Sequence, residues 1–203
     1  MAKIHLEEFY KGCSEFDKHE KRDAMYKVAT KLIRENWGNT SDMTDALGVL
    51  LLTWNQAFYR YGIFDFEELE RCLSKHFIAI DSFRKREIST LSEPDESLIR
   101  TIFIDFLNAL KIEDGKKKGL KSPVSVAKTL HLLAPLFFPI WDDKIARAYG
   151  CYYSENPAEQ YLKFSRIAKQ QVDQLKIEVS DPKKPFLKLL DEYNYSKFTK
   201  KWI

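Results

Sequence analysis

Apolar positions recur at helical spacing along most of the chain, interrupted by short polar or glycine-containing links. From Asp17 to Trp37, Ala24, Val28, Leu32 and Ile33 stand among charges, and Gly38 supplies a C-terminal cap. Ser41 to Tyr61 carries GVLLLTWNQAFYRY, a helix buried on most sides and stopped by Gly62. Asp65 with Glu68 reads as a capping box for FEELERCLSKHF, whose Phe66, Leu69, Leu73 and Phe77 share a face. A cationic amphipathic stretch, IDSFRKREISTL, follows as a further helix.

In SEPDESLIRTIFIDFLNALKI, Pro94 and two acids open a helix with an apolar stripe of Ile99, Ile102, Phe103, Phe106 and Leu110. The link EDGKKKGLK reads as a solvated loop. Ser122 and Pro123 then cap and start SPVSVAKTLHLLA, which Pro135 ends, and PLFFPIW is irregular but apolar enough to pack. Asp142 caps the short helix DKIARAY, closed by Gly150. Asn156 and Pro157 open a helix to about Lys176, and FLKLLDEYNYSKFTKKWI forms a basic, aromatic tail. With no strand alternation and no repeat, the expectation is one compact all-α, multi-helix domain over residues 1–203, with a C-terminal helical extension at 156–203.

Composition narrows the function classes. Hydrophobic residues at 44% and charged residues at 31% describe a folded chain, and a formal charge of +3 is too small to announce nucleic-acid binding by itself. Cys13, Cys72 and Cys151 are widely spaced, which argues against a zinc site, an iron–sulfur cluster and a disulfide framework. His5, His19 and His76 show no ligand spacing, so no metal or other cofactor is expected. The start MAKIHLEEFYKG lacks a signal-peptide pattern, and the apolar run Leu47 to Leu52 is too short to span a bilayer. A cytoplasmic protein without a membrane partner is the expectation.

The candidate chemistry centres on PIWDDKIARAYG. Asp142 is followed by Ile145 and Arg147 at the third and fifth positions, the form D-x-x-[VI]-x-R. With the preceding SPVSVAKTLHLLAPLFF, this segment resembles the signature region of the helix-hairpin-helix base-excision DNA glycosylase superfamily. The likeness spans residues 45–150 loosely and Ser122 to Gly150 more specifically. It implies an all-α fold of that type, DNA or another nucleic acid as partner, and hydrolysis of an N-glycosidic bond with Asp142 as the catalytic carboxylate.

Such a reaction builds positive charge on the sugar as the base departs, and a carboxylate beside it stabilises that charge or activates water. The start of a helix suits an anion. A base taken out of the stack also needs aromatic or amide walls. Trp54, Asn55, Gln56 and Trp141 are the pocket candidates, with Phe58 and Tyr59 eligible by residue type.

The family hairpin reads like L-P-G-[VI]-G, whereas this chain has KSPVS. Lys116, Lys117, Lys118 and Lys121, with Arg147, are then the candidates for phosphate contact. The Schiff-base lysine of strand-cleaving members precedes the Val-Ala pair. Ser125 stands there, with Lys128 beyond Val126 and Ala127, so lyase activity is disfavoured.

Structural roles compete for each of these residues. Asp142 as a plain cap needs no chemistry, Arg147 fits an ion pair with Asp143 or Asp142, and Trp54 with Phe58 fits a core face. His131 fits a satisfied core position better than a catalytic base. The alternative function is therefore a non-catalytic helical binding or scaffold protein that keeps the fold.

Overall fold

The computed structural model describes residues 4–20, 23–179 and 184–203. Helices α1 (Leu6–His19), α2 (Ala24–Glu35), α3 (Thr40–Trp54), α4 (Gln56–Tyr59) and α5 (Phe66–Arg84) lead to α6 (Glu93–Ala109) and α7 (Pro123–Leu133). Helices α8 (Asp143–Ala148), α9 (Pro157–Glu178) and α10 (Phe186–Asn194) follow, and α10 runs into a wider π-helical turn at Tyr195–Lys200. Among the described residues the fold is all-α, with one two-residue ladder of β1 (Gly62–Ile63) and β2 (Asp114–Gly115).

Helix α7 is the centre. Every residue from Ser125 to Leu133 is buried, and α2, α3, α5 and α6 all pack on it. The Ser122 hydroxyl caps it by accepting from the Ser125 amide, with Pro123 in the first turn. Asp65 caps α5 through the Glu67 and Glu68 amides, and Ser92 forms a capping box with Asp95 at α6. The stripe from Ile99 to Leu110 is buried, as are Phe137, Phe138 and Trp141 of the irregular segment after α7.

The first and last helical segments close on each other. Helix α1 packs on α10, and the Ser196 hydroxyl donates to the Gly12 carbonyl at 2.8 Å. A Cβ on Gly12 would lie 2.8 Å from the Tyr193 ring, so the close approach depends on that glycine.

Several boundaries differ from the sequence pattern. Of the span expected as one helix from Asp17 to Trp37, only α2 is wholly contained in it; residues 17–19 are the end of α1, a helix the pattern did not announce, and Asp23, whose φ is +40°, precedes α2. The Asp23 carboxylate makes no cap and instead pairs with the buried Lys188 ammonium at 3.1 Å. The helix expected from Ser41 to Tyr61 is interrupted at Asn55. Conversely, α5 runs past Phe77 to Arg84, because no breaker follows Phe77 and Ile80 and Phe83 continue its buried face; the remainder of the cationic stretch holds a separate 3-10 turn at Ile88–Thr90. Gly62 pairs with Gly115 across the ladder, where a Cβ on Gly62 would lie 2.4 Å from the Asp114 carbonyl oxygen. Two residues per strand are too few for alternation to show.

Candidate functional site

A cleft of about 160 Å³ opens where the two ends of the chain meet α7. Phe16 and Glu20 form one side, Asp23 and Met25 of the α2 start another, and Trp54 ends α3 at its edge. Lys128 comes from α7, Trp141 and Asp142 from the approach to α8, and Asp191 and Tyr195 from the last helical segment.

Asp142 is fixed at both oxygens. One accepts from the Ile145 amide at 2.8 Å, which makes the residue the N-cap of α8, and the other accepts from the Thr199 hydroxyl at 2.5 Å. The carboxylate is thus a cap and a cleft wall at once. Asp143 is exposed and bonds the Arg147 guanidinium at 3.0 Å, which in turn lies 3.5 Å over the Tyr152 ring. Arg147 therefore takes Asp143 as its partner and stays outside the cleft lining.

Trp54 is partly buried, and Trp141 is fully buried against Tyr161 and Phe164. Both contribute to the cleft wall. The two amides expected beside them do not. Asn55 donates to the Ser122 hydroxyl at 3.3 Å and the Ser125 hydroxyl at 2.7 Å, tying the end of α3 to the cap of α7. Gln56 is exposed at the start of α4. Phe58 packs against the core and Tyr59 is buried, its hydroxyl donating to the Leu110 carbonyl.

The lysine-rich loop is likewise separate from the cleft, and three of its four lysines engage their own neighbours. Lys118 pairs with Glu113 at 2.9 Å, Lys121 donates to the Asn108 side chain at 2.7 Å, and Lys117 sits 4.8 Å over the Tyr61 ring. Lys116 is exposed, and its backbone amide donates to the Tyr61 carbonyl.

The residue that spacing set aside is the one the fold brings in. Lys128 is 8% exposed, and its ammonium donates to the Trp54 carbonyl at 3.0 Å. Burial pulls its pKa down to about 8, partly offset by Asp191 and Asp142. Asp191 moves the other way, raised to about 7 by burial against the pull of Lys188. Their titrations thus bracket the neutral range, a pattern that marks reactive sites and buried ion clusters alike. Glu20, Asp23, Asp142 and Asp191 line it with Lys128, and Lys188 behind the wall pairs with Asp23 and Asp191, so the lining is acidic on balance.

His131 lies behind this wall in the core. A backbone carbonyl only accepts, so Nδ1–H donates to Phe138 at 2.7 Å, and Nε2 accepts from the Tyr26 hydroxyl at 3.1 Å. Burial lowers its pKa to about 4, which keeps the ring neutral and structural.

All three cysteines are buried and unpaired. Among the described residues no group of three or more His, Cys, Asp or Glu is arranged to hold a metal ion. Nor is any described helix long and apolar enough to cross a membrane. Comparison with protein-family models, curated proteins and solved structures finds no match to this chain.

Proposed function

We propose that this chain hydrolyses the N-glycosidic bond of a nucleic-acid base, with Asp142 as the carboxylate beside the sugar. The observation that carries the reading is the joint position of Asp142, Trp54, Trp141 and Lys128 in one cleft. The C1′–N bond breaks with its electron pair leaving on the base, and water adds to C1′ while giving up a proton. Asp142 stabilises the cationic sugar or takes that proton, and the two donors on its oxygens hold it in place. The partly exposed Trp54 indole edges the space a base would enter, with Trp141 buried in the wall. The surplus of carboxylates suits a cationic transition state and disfavours phosphates inside the cleft.

The competing reading is a non-catalytic scaffold. It draws on the same bonds, since Asp142 is occupied at both oxygens and Lys128 is bonded to a backbone carbonyl.

Duplex and single-stranded oligonucleotides carrying uracil, hypoxanthine, 8-oxoguanine or alkylated purines separate the two readings. Base release, read as alkali-sensitive breaks and lost on Asp142→Asn, is the expected result. Breaks without alkali, with a borohydride-trapped adduct lost on Lys128→Met, would instead make Lys128 a nucleophile. Neither release nor salt-sensitive binding would leave the scaffold.

A further inference from the structure

An acidic cleft leaves open where a polyanionic strand would be held, and a strongly cationic groove lies farther along a helix that walls it. Asp23, Ala24 and Met25, at the start of α2, wall the cleft. From the next turn the same helix presents Lys27, Lys31 and Arg34 to a groove of about 320 Å³ that also contains Arg84. The spacing of four and then three residues aligns the three α2 cations on one stripe, rising about 6 Å and then about 4.5 Å along the axis.

Among the described residues, no carboxylate lines this groove, and Lys27 and Arg34 have no ion-pair partner. Lys31 has only the exposed Glu35 at 3.8 Å, a contact worth little in water. Arg84 is fixed as the groove's floor, donating to the Leu133 carbonyl at 2.7 Å and stacked 3.9 Å over Trp37. Among the described residues Lys27 and Arg34, like Lys116 of the loop, carry no ion pair, whereas Lys118 and Lys121 are bonded to Glu113 and Asn108.

We propose that the α2 groove is the phosphate track of a nucleic-acid strand whose target base enters the Asp142 cleft, an inference that rests on the proposed function. Lys27, Lys31 and Arg34 grip successive phosphates and so set the direction in which the strand leaves the cleft.

The test is fluorescence anisotropy with labelled duplex and single-stranded oligonucleotides between 50 and 200 mM salt. The proteins are the parent, Lys27→Gln/Lys31→Gln/Arg34→Gln, and Lys116→Gln/Lys117→Gln/Lys118→Gln. Losing three phosphate contacts lowers the slope of log K against log salt by about 2.7 for duplex and about 2.1 for a single strand. On duplex, the parent then weakens roughly forty-fold more than the α2 variant across that range. The loop variant keeps the parent slope.

Salt-dependent binding by the parent that the α2 variant leaves unchanged, or that only the loop variant loses, overturns the groove and leaves the glycosylase reading standing. No binding by the parent overturns the groove, and no binding together with no release of bases overturns both. Release of bases that Asp142→Asn abolishes, with parental binding retained by the α2 variant, confines the failure to the groove.

Discussion

The Lys128 ammonium lies 3.0 Å from the Trp54 carbonyl oxygen and 4.5 Å from the centre of the same residue's indole ring. One aromatic residue thus supplies both the hydrogen-bond acceptor and the π-face for a cation that is 8% exposed. Burial still dominates, which is why the amine sits near pH 8 and not at a lysine's ordinary 10.5.

That difference makes a stability prediction. Between about 8 and 10.5 the unfolded chain binds more protons at Lys128 than the folded one, so folding stability rises with pH across that window. The gain is on the order of 3 kcal/mol. Lys128→Met removes it, so the parent's stability rises relative to the variant's between pH 8 and pH 10.5. Urea unfolding at the two pH values measures the change, and a gap independent of pH would mean that the amine is solvated like any surface lysine.

Asp142 has two separable roles, and two substitutions distinguish them. Asparagine caps a helix about as well as aspartate, so Asp142→Asn leaves the melting temperature close to the parent's while base release is lost. Asp142→Ala removes the cap to Ile145 and costs about 1 kcal/mol. If both variants released bases at the parental rate, the carboxylate would be a cap alone.

What the sequence made legible is the local chemistry. Ser122, Asp65 and Asp142 cap their helices because a short polar side chain and the next turn's amides suffice for a cap. The helix breaks at Asp23 and Asn55 were hidden because their partners, Lys188 and the Ser122–Ser125 hydroxyls, are distant in sequence. The same holds for the cleft: Asp191 and Tyr195 reach it from the far end of the chain. Spacing around Val126 and Ala127 gave no sign that Lys128 faces Trp54, since that depends on where the end of α3 docks against α7.

His131 should titrate far below its usual range. Its pKa of about 4 against an ordinary 6.5 means that the unfolded chain binds more protons between those values. Stability therefore falls as pH drops through that window. In NMR titrations its ring signals stay constant from pH 8 to pH 5. Tyr26→Phe leaves the buried Nε2 without its donor and costs roughly 1–3 kcal/mol in urea unfolding. A ring that titrates near 6.5 would show that the pocket around it is open to water.

Lys188 supplies the sharpest test of the wall behind the cleft. It is 2% exposed and lies 3.1 Å from the Asp23 carboxylate and 3.6 Å from those of Asp191 and Glu192. It also faces the rings of Phe16 and Tyr26. Removing a buried cation strands its carboxylates, so Lys188→Met destabilises at pH 8 by roughly 3–5 kcal/mol. Asp191, raised from 3.8 to about 7, binds more protons folded than unfolded between those values, so its contribution to stability falls as pH rises through them. Without Lys188 its pKa moves higher still, and protonation at pH 5 relieves much of the repulsion. The loss measured by urea unfolding is therefore smaller at pH 5 than at pH 8. An equal loss at both would assign Lys188 to packing against the two rings and not to holding the acids of the cleft.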